Sequence, residues 1–262
     1  MKKGKVKYIV IIVVLILYCI LMYALFGAEE QKRRDTSATV LVSNAAIWNY
    51  SGGEFTNITR QSTISELNWQ KFTVYIDNEL FGDYSVWHDD RWYLFDDNQQ
   101  AVTYQGNFLA YQADFDMKIM PFEVQEITNY QYVDQVLEEY NLTATGGYTL
   151  TNYYTIDLDQ DGEDEEFYAV SNCFMDVDVG FPDTYFSFLF MVDDGVITML
   201  YEETGQNQAV NGTQPIIYSV LDIDNDSNFE MIVMGYKYSV QLPYVMLYKY
   251  EDGTLKLEFS NQ

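Results

Sequence analysis

Two acidic ladders recur in the chain, one beginning at Asp157 and the other at Asp222. The first reads Asp157-Leu158-Asp159-Gln160-Asp161-Gly162-Glu163-Asp164-Glu165 and the second Asp222-Ile223-Asp224-Asn225-Asp226-Ser227-Asn228-Phe229-Glu230. Each places acids at relative positions 1, 3, 5 and 9. Side chains so spaced converge on one cation only if the backbone curls around it. Flexible coordination by roughly six to eight oxygens suits Ca2+ best. Several carboxylates on one short loop also repel one another, and a bound cation removes that repulsion. An acidic hairpin turn is the plainer use of the same residues, because Asp, Asn and Gly are common turn formers. Repetition of the spacing argues for the cation.

The ladders are not EF-hands, which need a bidentate Glu at position 12 and a helix on either side. Position 12 is Tyr168 in the first copy and Val233 in the second. The flanks Tyr153-Tyr154-Thr155-Ile156 and Glu166-Phe167-Tyr168-Ala169-Val170 have strand composition. Acidic loops of this spacing between strands resemble the calcium loops of integrin-type FG-GAP and VCBS repeats. The resemblance implies that Asp157, Asp159, Asp161 and Glu165 hold one ion, and Asp222, Asp224, Asp226 and Glu230 a second. It also implies that Glu163 and Asn228 add their position-7 carbonyls. The second copy departs from the pattern at position 6, where Ser227 replaces a glycine suited to a left-handed turn.

The elements that must position these loops read almost wholly as strands. Phe186 to Met191, Asp193-Asp194-Gly195 and Val196 to Tyr201 form a hairpin pattern, which recurs as Tyr244 to Tyr250, Glu251-Asp252-Gly253 and Thr254 to Phe259. Both halves therefore follow the order strand, acidic loop, strand, connection, strand, acidic-Gly turn, strand. Four-strand units of this length suggest propeller-like repeats, although two such units do not close a ring. Further hairpins are expected at Ile47-Trp48-Asn49-Tyr50 before Ser51-Gly52-Gly53, and at Trp92-Tyr93-Leu94-Phe95 before Asp96-Asp97-Asn98. The fold expected is an all-β ectodomain with propeller-like repeats. Two small β-sandwich-like domains are the alternative. One helix is expected over Tyr130 to Tyr140, where Tyr132, Val133, Val136, Leu137 and Tyr140 share a face, placed between the two β parts.

At the N-terminus, Tyr8 to Phe26 is an unbroken apolar run preceded by Lys2, Lys3, Lys5 and Lys7. Its length suits an uncleaved transmembrane signal anchor better than the h-region of a cleaved signal peptide. The organisation expected is a cytoplasmic tail over 1–7, a span over 8–26 and a stalk over 27–37. A β-rich region over 38–128, a helix and linker over 129–146 and a two-repeat domain over 147–262 follow. Weak calcium loops fill only where calcium is abundant, which places the C-terminal part outside the cytoplasm.

Residues 1–35 hold 7 of the 14 basic and 3 of the 40 acidic side chains, leaving 7 against 37, a formal charge of −30. Such a surface repels nucleic acid and anionic headgroups. The 24 Tyr, 16 Phe and 4 Trp nevertheless supply a packed core. Cys19 falls in the span and Cys173 is alone beyond it, so no intramolecular disulfide is expected.

Catalytic patterns are sparse. His88 is the sole histidine and is expected in a solvent-facing hairpin turn, and no G-x-S-x-G elbow occurs. The reading is a membrane-anchored, extracytoplasmic, calcium-binding protein that binds a protein or cell-wall glycan or plays a structural part at the envelope, and is not an enzyme. A surface glycan hydrolase built on a carboxylate pair is the alternative.

Overall fold

A computed structural model describes residues 37–113, 115, 117–125, 130–142, 149–173, 182–206, 212–223, 228–237, 243–251 and 253–261. The expected membrane span, 8–26, lies outside the described residues. No helix among those described is long and apolar enough to cross a membrane.

The chain is mostly β, in three antiparallel sheets. The N-terminal sheet comprises β1 (Ser37–Val42), β2 (Ala46–Ser51), β3 (Glu54–Asn57), β4 (Lys71–Ile76), β5 (Glu79–Asp89), β6 (Arg91–Phe95), β7 (Ala101–Val102) and β8 (Phe108–Gln112). Their spatial order is β3-β2-β1-β8-β4-β5-β6-β7. Two tight hairpins open this sheet. Gly52 and Gly53 join β2 to β3, and Asp77 and Asn78 join β4 to β5, all with positive φ. Two adjacent left-handed residues give the turn whose twist matches that of paired strands.

The short strands β9 (Lys118–Met120) and β10 (Glu123–Gln125) leave this sheet for the other two. The first acidic ladder lies between β11 (Thr149–Ile156) and β12 (Glu165–Ser171), followed by the hairpin β13 (Thr184–Asp193) and β14 (Val196–Gln206). The second copy runs β15 (Thr213–Asp222), β16 (Glu230–Lys237), β17 (Tyr244–Glu251) and β18 (Thr254–Ser260). Each copy is thus a four-strand meander, as expected. Each gains a fifth strand at the edge of its first: β10 pairs with β11, and β9 with β15.

Packing places the second copy in the middle. Its Met231 and Val233 face Tyr154, Ile156, Phe167 and Leu189 of the first copy. Alternate residues Ile232 and Met234 face Val40, Val42, Trp48 and Leu109 of the N-terminal sheet. A strand buried on both faces must be apolar at successive positions, and Glu230-Met231-Ile232-Val233-Met234-Gly235 is buried throughout. Each large apolar side chain removed from water there stabilises the stack by roughly 1.5–3 kcal/mol.

Two helices cover the ends. Helix α1 (Gln61–Glu66) brings Ile64 onto the far face of the N-terminal sheet. Helix α2 (Gln131–Glu139) is the one read from the sequence, and it lays Val133, Val136 and Leu137 on Tyr168, Val170, Phe186, Phe188 and Phe190. It covers the outer face of the first copy's sheet instead of lying between the β parts, because that face would otherwise meet solvent.

Candidate metal centre

Beyond β11 the chain turns twice through left-handed backbone, at Gln160 (φ 60°) and Gly162 (φ 94°). These turns curl the first ladder on itself. Three carboxylates accept backbone N–H groups within the loop: Asp159 Oδ1 from Asp161 at 3.1 Å, Asp157 Oδ2 from Gly162 at 3.2 Å, and Asp161 Oδ1 from Glu163 at 2.8 Å. Bonds of this kind orient each carboxylate while leaving its second oxygen for another partner. Among the described residues, Asp157, Asp159 and Asp161 form the one group of three such side chains whose ligand atoms all lie within 4.8 Å of one another.

Leu158 and Glu165 anchor the loop. The Leu158 side chain is fully buried between the two repeat sheets. Its N–H donates to Oε2 of Glu165 at 2.7 Å. Glu165 is itself buried, and burial pushes its carboxyl up to about 7, partly opposed by the bond from Leu158 and reinforced by Asp159 and Asp193. The Tyr250 hydroxyl, from β17, is pushed up to about 12 by burial and then by Glu165, Asp159, Asp193 and Asp161. Negative charge therefore accumulates around one point between the first-copy loop and the middle sheet.

The residues fit a divalent cation. Oδ1 of Asp157 is buried without a hydrogen-bond partner, and a bare carboxylate oxygen among other acids is satisfied by a cation. Asp157, Asp159 and Asp161 would be its side-chain ligands. The Glu163 side chain is exposed, and Glu165 turns one oxygen inward to the backbone.

The second ladder is built on the same plan where it is described. The Ile223 N–H donates to Oε2 of Glu230 at 3.1 Å, and Asp222, Ile223 and Glu230 are all buried. Asn228 is exposed. Asp224 and Asp226 lie outside the described residues.

Two neighbours carried no signal in the sequence. Pairing of β9 with β15 sets Lys118 opposite Asp222, with Nζ 3.9 Å from Oδ2. A cleft of about 390 Å³ opens beside the first loop, lined by Lys118, Met120, Asp157, Gln160, Asp164 and Phe229 among others. Only the pairing of strands far apart in the chain brings Lys118 there, so no local motif marks it.

His88 does not sit at a turn. It is part-buried in β5 opposite Trp92, with ring centroids 4.8 Å apart. The turn itself is made by the next residues, where Asp90 has φ 60°.

Comparisons with known protein families, with curated proteins and with solved structures give no match.

Proposed function

We propose that this chain is a membrane-anchored, extracytoplasmic calcium-binding β protein that serves as a binding, adhesion or structural module at the cell envelope. The observation that carries the reading is the convergence of Asp157, Asp159 and Asp161 within 4.8 Å, beside a buried oxygen without a partner. Ca2+ would act there as a clamp, tying the first-copy loop to the middle sheet, and Asp222, Asp224, Asp226 and Glu230 would hold a second ion. At a dissociation constant of about 0.1–1 mM, millimolar calcium stabilises the fold by about 0.4–1.4 kcal/mol per site. The anchor is the apolar run 8–26.

Stacking of the repeats supports kinship with FG-GAP and VCBS propeller blades. Ile156, Leu158, Phe167 and Ala169 of the first copy face the middle sheet. Their counterparts at the equivalent positions of the second copy, Leu221, Ile223, Ile232 and Met234, face the N-terminal sheet. The same face of each unit thus packs on the next, as in radially repeated sheets.

A glycan hydrolase is the second reading, favoured by the cleft that Asp157 and Asp164 line. Its acids belong to the calcium loop itself, so one residue would serve both purposes, and the calcium reading accounts for more of the loop. Calorimetric titration of Ca2+ into the purified chain tests it, with Mg2+ as control. Two ions are expected, one lost in Asp159→Ala and the other in Asp224→Ala. Absence of calcium-specific heat from the wild-type chain would sink the metal reading.

A further inference from the structure

Trp69 is the one aromatic residue with positive φ among those described, at 68°. Left-handed backbone is unfavourable for a bulky side chain and persists only where the surroundings enforce it. Here the Trp69 N–H donates to the Val86 carbonyl at 2.7 Å, the Val86 N–H to Gln70 at 3.1 Å, and the His88 N–H to Asn68 Oδ1 at 2.8 Å. This lacing along β5 holds an indole that is 47 % exposed.

The indole lies over part-buried Trp87 and Phe95, with centroid separations of 5.3 and 5.0 Å and tilts of 55° and 51°. Tyr93 stands opposite Trp87 in the strand register and carries the Arg91 guanidinium 4.9 Å from its ring. By strand alternation these rings occupy the face opposite Val86, Trp92 and Leu94, which are buried under α1. The cluster that joins the N-terminal and middle sheets contains no residue of β5, β6 or β7. The aromatic face therefore overhangs the stack.

We propose that this overhang, centred on Trp69, binds a neutral glycan. The proposal names the binding surface of the module described above and rests on that reading for its class. One half-exposed ring and two partly covered ones offer at most about 300 Å². That falls short even of the apolar share, a little over half, of the roughly 800 Å² per partner of a stable protein interface. Aromatic faces are electron-rich, so they attract the weakly positive C–H faces of a pyranose. By register, polar side chains able to bond sugar hydroxyls share this sheet face: Lys71, which bonds Asp97 at 2.7 Å, Thr73 with Asp83 at 2.8 Å, and Arg91. Charge selects among glycans. Asp83, Asp89, Asp90, Asp96 and Asp97 outnumber Lys71 and Arg91 on this part of the chain, and the whole carries −26, so an acidic polysaccharide is repelled.

Tryptophan emission tests this selectively, because Trp48 and Trp92 are buried whereas Trp69 is not. The full-length chain is titrated with neutral hexasaccharides of glucose, mannose, galactose and N-acetylglucosamine, with hexagalacturonate, and with hexalysine. A saturable shift with at least one neutral sugar and none with hexagalacturonate is expected. Read by calorimetry, which needs no indole reporter, Trp69→Ala should weaken binding by about tenfold or more, as expected for loss of one stacked ring, and Trp69→Phe should restore most of it. Trp69→Gly, which suits left-handed backbone, should keep the fold and lose the sugar. Sugar binding in EDTA should match that in calcium, which separates this proposal from the calcium reading. Silence from every neutral sugar, binding indifferent to Trp69→Gly, or Trp69-dependent capture of hexalysine would overturn it.

Discussion

The backbone N–H of Leu158 is tied to the carboxyl of Glu165 at 2.7 Å, closing the first acidic loop around a hydrophobic plug. Ile223 and Glu230 close the second loop in the same way at 3.1 Å. In each loop position 2 points into the core, and in the first loop positions 1, 3 and 5 remain for oxygen chemistry. The plugs enter different interfaces, Leu158 that between the two repeat sheets and Ile223 that between the middle and N-terminal sheets.

Both plugs are fully buried, so Leu158→Ala and Ile223→Ala should each lower unfolding free energy by about 2–5 kcal/mol, the range for truncating a core aliphatic side chain. Urea denaturation in EDTA checks this without a metal contribution. A loss under about 1 kcal/mol would show that the loops are not keyed into the core.

Glu165 makes stability depend on pH. Its carboxyl is raised to about 7, so between the ordinary carboxylate range and 7 the folded chain binds more protons than the unfolded one. Stability therefore falls as pH rises through that window, by about 3 kcal/mol at most from this group and by less to the extent that solvent screens it. Glu165→Gln cannot titrate and should flatten the slope between pH 5 and pH 8, measured as unfolding free energy in EDTA. An unchanged slope would remove Glu165 as its source.

Lys118 stands 3.9 Å from Asp222 Oδ2, beside the second ladder. A cation binding there meets its repulsion, weakened because the lysine is largely exposed. Lys118→Met should tighten calcium at the second site by a few fold at low salt, read by calorimetry in Asp159→Ala, which lacks the first site. Weaker binding would instead mark the lysine as a positioning group for Asp222.

What could be read in the sequence was what is local. The Asp194-Gly195 turn and the Gly52-Gly53 turn both appear with positive φ where strand patterns flank them. The meander order follows from such turns, and α2 follows from its apolar stripe. Strands β9 and β10 span three residues each and are separated by Pro121 and Phe122, too short for any alternation to register. Their pairing with β15 and β11 is decided by the stack. Helix α1 has six residues and no side-chain cap, so it too is imposed by packing of Ile64. At the first loop, residue spacing foretold the convergence of Asp157, Asp159 and Asp161. The inward turn of Glu165 was hidden, because it depends on the burial of Leu158.

Helix α2 also limits growth. Tyr168 of the first copy holds the position that Val233 holds in the second; Val233 receives a neighbouring sheet, whereas Tyr168 receives the helix. The helix thus occupies the berth of another unit and makes the array finite. Without it, a Phe-rich sheet face would stand ready for the same face of a second molecule, so a nine-residue segment decides between a single particle and a closed face-to-face pair.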